Sequence, residues 1–137
     1  MTMSTSRNWK FASREHGNVA IEYALVLPVM LLFILGIIDT GRFLWTNSTL
    51  YRSVEAAARC GAVNTIACNT TTQIKSRAVA EAWGLSVDPS NFTVTTPACG
   101  IRVAATYSFK FIIPGVTAVV PLGMVTLNAT ACYPPVA

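Results

Sequence analysis

The sequence predicts an α+β chain. One long amino-terminal helix starts as a membrane-spanning segment and continues into a soluble half; a short helix and a three-stranded antiparallel sheet follow. Three observations lead there. Residues 19–38 form an apolar run with a single charge, Glu22. Apolar residues then recur every three or four positions to about Arg59, which is helical spacing. Beyond Asn91 the period changes to two, which is strand spacing.

The composition agrees with a membrane anchor. Of 137 residues, 53% are hydrophobic and only 12% charged, against ~25% charged in an ordinary soluble domain. Mean hydropathy is +0.50. This excludes a disordered chain, which needs low hydrophobicity and high net charge, and argues against a free cytosolic monomer. Twenty helical residues at ~1.5 Å each cover ~30 Å, the hydrocarbon thickness of a bilayer. A buried core helix is the competing explanation, but the rest of so short a chain can hardly wrap this segment on all sides. A cleavable secretory signal is the other. Its small-residue site should follow a 7–15-residue apolar stretch closely, whereas this run is longer and ends in Asp39-Thr40-Gly41-Arg42-Phe43. The segment is therefore expected to remain as an anchor.

Arg7, Lys10 and Arg14 precede the run, and Arg42 and Arg52 follow it. This small excess favours an amino terminus in the cytoplasm. All four cysteines, Cys60, Cys68, Cys99 and Cys132, lie after the run, as expected of disulfides in an oxidising compartment. They have no C-x-x-C spacing and no histidine on their side of the run, so a zinc set is not expected.

The start of the run reads Arg14-Glu15-His16-Gly17-Asn18-Val19-Ala20-Ile21-Glu22-Tyr23. A carboxylate in lipid costs ~2.5–3.5 kcal/mol on insertion scales. Glu22 either snorkels to the headgroups or has a partner. If the chain is cut after Gly17, Asn18 becomes a new amino terminus whose ammonium can pair with Glu22 of a neighbouring chain.

This arrangement resembles the prepilin cleavage site of type IV pilin-like proteins, in the form used by tight-adherence (Tad/Flp) pilus systems. Residues 20–28, Ala-Ile-Glu-Tyr-Ala-Leu-Val-Leu-Pro, are similar to the signature of TadE-like pseudopilins. Residues 36–42 (Gly-Ile-Ile-Asp-Thr-Gly-Arg) and 56–62 (Ala-Ala-Ala-Arg-Cys-Gly-Ala) resemble two later blocks of that family. The resemblance implies a type IV pilin-like fold and an inner-membrane, single-pass minor pilin. Residues 1–17 would be the leader, with cleavage between Gly17 and Asn18 by a prepilin peptidase. Residues 18–60 would be the membrane and periplasmic helix, and 61–137 a small periplasmic α+β domain. Glu22 and Tyr23 would act in assembly. The implied partners are the peptidase, other Tad/Flp pilins, inner-membrane assembly proteins and the lipid bilayer.

The soluble part is read from the residues themselves. Phe43, Asn47, Leu50, Val54 and Ala57 form a stripe, with Leu44, Tyr51 and Ala58 alongside, and Glu55 and Arg59 are placed for an i,i+4 ion pair. One helix is expected over 18–59, kinked at Pro28, which has no amide hydrogen, and capped by Gly61. A second helix is expected over 71–83, presenting Ile74, Ala78, Val79, Ala82 and Trp83 on one face. Strands follow over 92–96, 101–111 and 124–133, with 98–100 a tight turn. In an antiparallel meander with the 101–111 strand in the middle, Cys99 and Cys132 share a sheet edge. Of the three pairings that four cysteines allow, this favours Cys60–Cys68 with Cys99–Cys132. The connection 113–123 is uncharged and apolar; it is expected either to cover the sheet or to form a contact surface.

Chemistry finds little footing. The single histidine, His16, lies in the expected leader, which leaves a mature chain without a histidine-based triad or metal site. No phosphate loop occurs. The isoelectric point near 9.1 overstates the case for nucleic acid. Three of the ten basic residues and one acid fall in 1–17, so processing lowers the net charge to about +2 and leaves no basic cluster. The expectation is no catalysis, cofactor, metal, nucleic acid or small-molecule substrate. The alternative to a pilin is a signal-anchored periplasmic binding or scaffold module that never enters a filament.

Overall fold

The computed structural model describes residues 15–64, 66–113 and 123–135. Most of the expected leader and nearly all of the apolar 113–123 connection lie outside these residues. One continuous helix, α1 (Glu15–Val63), dominates the molecule. At ~1.5 Å per residue its 49 residues extend ~73 Å. The helix continues through Pro28.

The carboxyl-terminal half of α1 carries the head. Its face Leu50, Val54, Ala57 and Ala58 is fully buried, with Phe43 packed at the edge. Leu44 and Tyr51, expected beside this stripe, face outward. They sit on the flank of the helix, and the head covers one side only. Glu55 and Arg59 do not pair; the ion pairs among the described residues are Asp39–Arg42 and Arg77–Glu81. Both Glu55 and Arg59 are exposed, where such a pair gains little over hydration.

Gly61 does not end the helix. It lies inside α1, where a Cβ would come within 2.8 Å of Ile74 Cδ1 and 3.1 Å of Ile101 Cγ2. Glycine is used here for close approach, not for a left-handed cap, and α1 runs on to Val63. Asn64 closes the turn instead: its Oδ1 accepts from the amides of Ile66 and Ala67.

The second helix, α2 (Thr71–Glu81), begins with a capping box. The Thr70 hydroxyl accepts from the Gln73 amide, and the Gln73 side chain accepts from the Thr70 amide. Ile74, Ala78 and Ala82 are buried against α1 and the sheet. Trp83 is not: α2 stops two residues earlier, and the indole stands 74% exposed. Because Ile74 meets α1 at Gly61, and Gly84 lies near Trp45 Nε1, α2 runs back along α1 toward the apolar end.

After a 3-10 turn (Pro89–Asn91) come β1 (Phe92–Thr95), β2 (Ile101–Lys110) and β3 (Met124–Tyr133). The order is β1-β2-β3, antiparallel throughout. Phe92, Val103, Ala105, Phe109, Leu127 and Ala129 face the helices, as period-two alternation requires. The outer face is polar; Thr106 donates to Asn128 across the strand pair. Phe111 lies just past β2 but still packs on the core.

β2 also runs down α1. Ile101 lies beside Gly61, and Ile112 beside Asp39. Eleven extended residues cover ~37 Å and twenty-two helical ones ~33 Å, so strand and helix keep pace over the whole head. Both disulfides, Cys60–Cys68 and Cys99–Cys132, sit at the far end, with Cα separations of 5.7 and 6.3 Å.

Candidate functional site

The site is the exposed amino-terminal half of α1 together with the contacts that fix it to the head. From Val19 to Ile38 every large apolar side chain stands open, Phe33 at 72%. Tyr23, Leu27 and Ile34 lie on one side of the helix, Leu25, Val29 and Leu32 on others, so apolar surface runs all the way round. An isolated helix that is apolar on all faces needs a lipid or protein environment. This one is long and apolar enough to cross a membrane.

Gly17 and Asn18 lie in the first turns of α1. Glu22 is exposed on the same helix. It shares a face with Val19 and Val26, at helical spacings of three and four. Tyr23 is likewise exposed. No ion pair engages Glu22 within the chain among the described residues, which leaves its carboxylate free to meet a group from outside. The four cysteines, by contrast, are all consumed in the two bridges of the head, far from this segment.

Where the apolar half meets the head, Asp39 forms the anchor. It is only 2% exposed. Its Oδ2 accepts from the backbone amides of Ile112 at 2.8 Å and Ile113 at 3.1 Å, and its Oδ1 accepts from Arg42 Nη1 at 2.8 Å. Burial pushes the carboxyl group's pKa up, but the two amides and the guanidinium outweigh it and hold it below the usual carboxylate value. Arg42 also lies over the Phe109 ring at 5.3 Å, a cation–π contact. Phe43 and Phe109 meet edge-on at 5.5 Å, and Phe109 and Phe111 at 5.1 Å. One turn of helix thus binds the end of β2 through a charge, two amides and three rings.

The sequence places Asp39 at the end of the apolar run and within the 36–42 block, with no role of its own. The signal was present: a lone carboxylate directly after twenty apolar residues, three positions before an arginine, is expected to have a local task. What it could not reveal is that the partners are amides 73 and 74 residues away. Among the described residues no cluster of histidine, cysteine or acidic side chains could hold a metal ion.

No curated protein and no solved structure matches the chain. Residues 17–59 match the family model described as TadE-like protein. That segment opens at Gly17, includes Glu22, Pro28 and Asp39, and closes on the helical face that the sheet covers. Over residues 17–59, under a third of its length, this chain is similar to TadE-like proteins.

Proposed function

We propose that this protein is a membrane-anchored minor pilin of a Tad/Flp pilus, cleaved after Gly17 by a prepilin peptidase, with the amino terminus cytoplasmic and the head periplasmic. Its role is structural, in pilus assembly, and not catalytic. The observation that carries this reading is the α1 helix itself, whose amino-terminal half is apolar on every face and free of its own head, with Glu22 five positions after Gly17 in a TadE-like segment. Two disulfides in the head fit an oxidising compartment.

The mechanism is packing. The helix is stored in the inner membrane, where lipid covers its apolar faces. On assembly, helices of other pilins and assembly proteins replace lipid. Cleavage exposes the Asn18 ammonium, and Glu22 of a neighbour supplies the opposite charge. In a low-dielectric surrounding that pair also relieves the cost of an unpaired carboxylate, so it favours the register in which the two groups meet.

The Glu22→Ala variant tests this. It should insert into the membrane at least as well as the native chain, because a charge has been removed from lipid. Cross-linking to neighbouring pilins should fall about tenfold, equivalent to ~1.4 kcal/mol of pairing. Unchanged cross-linking and piliation would leave Glu22 a snorkelling residue and favour an anchored periplasmic module.

A further inference from the structure

The head exposes two tryptophans side by side. Trp45 is 65% and Trp83 74% exposed, uncommon for the largest side chain. They arrive from different elements. Trp45 projects from α1, and Trp83 follows two residues after the end of α2, which runs back along α1. Together they line a cleft of about 590 Å³. Trp45 also borders a second cleft, of about 520 Å³, with Arg42, Lys110 and Tyr107. The structure therefore concentrates aromatic rings and basic groups at one height on the head, on the side nearest the apolar half of α1.

That height can be derived. If the hydrocarbon boundary lies at Ile38, the Cα of Trp45 stands ~10 Å beyond it along the helix. Helical side chains lean toward the amino terminus, which returns the Trp45 ring by several ångströms. The headgroup layer is ~5–7 Å thick on each side. The indole of Trp45 therefore falls at the outer part of that layer. Trp83 lies at that height too, because a Cβ on the next residue, Gly84, would stand 3.9 Å from Trp45 Nε1, and Arg42, at ~6 Å, falls inside the layer. Indole rings favour this boundary, since they combine an apolar body with an N–H donor. Lys110, and the part of the Arg42 guanidinium that its bond to Asp39 leaves exposed, supply the positive charge that phospholipid phosphates attract.

We propose that Trp45, Trp83, Arg42 and Lys110 form a headgroup-binding patch, by which the head sits directly on the anionic phospholipid surface of the bilayer that holds α1. The patch sets the height and tilt of the head on the membrane, and it is a lipid contact additional to the spanning helix. It rests on that helix crossing the bilayer, and the experiment separates the two claims.

The full chain is reconstituted in vesicles of phosphatidylethanolamine and phosphatidylglycerol. Some vesicles carry a nitroxide on the lipid headgroup and others at the acyl-chain end. Trp9→Phe is combined with Trp45→Phe to leave Trp83 alone, or with Trp83→Phe to leave Trp45 alone. A third chain lacks all three native tryptophans and carries Phe33→Trp. Both native single-tryptophan chains should be quenched several-fold more strongly by the headgroup label than by the chain-end label, with the order reversed for Phe33→Trp. Quenching of Phe33→Trp by the chain-end label, with Trp45 and Trp83 open to acrylamide and untouched by either nitroxide, would overturn the patch while the spanning helix stands. No nitroxide quenching in any chain would remove both. Protection of Trp83 that grows with protein-to-lipid ratio, without nitroxide quenching, would assign the surface to a second copy and reject the lipid contact.

Discussion

Asp39 shows what one residue does at the junction of two environments. A buried carboxylate is costly unless its oxygens are satisfied, and here two backbone amides and a guanidinium satisfy them. Its pKa is lower folded than unfolded. The anchor therefore contributes stability at neutral pH, above the unfolded value of about 3.9, and loses it as pH falls through the lower folded value. Asp39→Asn should cost ~1.5–3 kcal/mol at pH 7, the range for hydrogen bonds to a charged group, and should flatten the acid limb of the stability profile. Denaturant titrations of the full chain in detergent, from neutral to acid pH, check both. Gly100 makes the contrasting case. At φ +114° its missing Cβ would run into the backbone of Tyr133 and Pro134, so the turn before β2 requires glycine for both conformation and space.

At the scale of elements, much was legible in the residues. Alternation of Ile101, Val103, Ala105, Tyr107 and Phe109 marks β2, and the same rule marks β3. The three strands have little choice but to pair as a meander, and Cys99 and Cys132 then fall at one edge. The buried face of α1 was likewise visible in Leu50, Val54 and Ala57. What failed were readings of ends and flanks. Gly61 looks like a helix stop because glycine usually is one; only the tertiary approach of Ile74 explains it within a helix. Trp83 looks like a core residue by spacing, yet the helix that would have turned it inward has already ended. Both disulfides act at the end of the head opposite Asp39. The larger loop, closed over 33 residues by Cys99–Cys132, should contribute ~2–4 kcal/mol. Cys99→Ser and Cys132→Ser should lower the protein level to a similar extent, and the double variant should be no worse than either, because one substitution already removes the link. Immunoblots of membrane fractions measure this.

On the scale of the whole molecule, the chain is a rod with a head attached at one end. α2 and the sheet clasp α1 from about Asp39 to Val63, closed at one end by the Asp39 contacts and at the other by two disulfides. The rest of the rod is left apolar and exposed, and a filament built from such chains would use it for packing against its neighbours. That division was readable from hydropathy alone, because a twenty-residue run needs no partner to be recognised. The contacts that make the junction rigid were not, because they join residues far apart in sequence. In the proposed function the rod is a processed pilin helix, and the mature amino terminus is its most direct measure. Intact-mass and amino-terminal peptide analysis of the protein from membrane fractions should find chains beginning at Asn18, and Gly17→Leu should leave residues 1–17 attached. Native protein that retains Met1–Gly17, or that begins at any residue other than Asn18, would contradict the account.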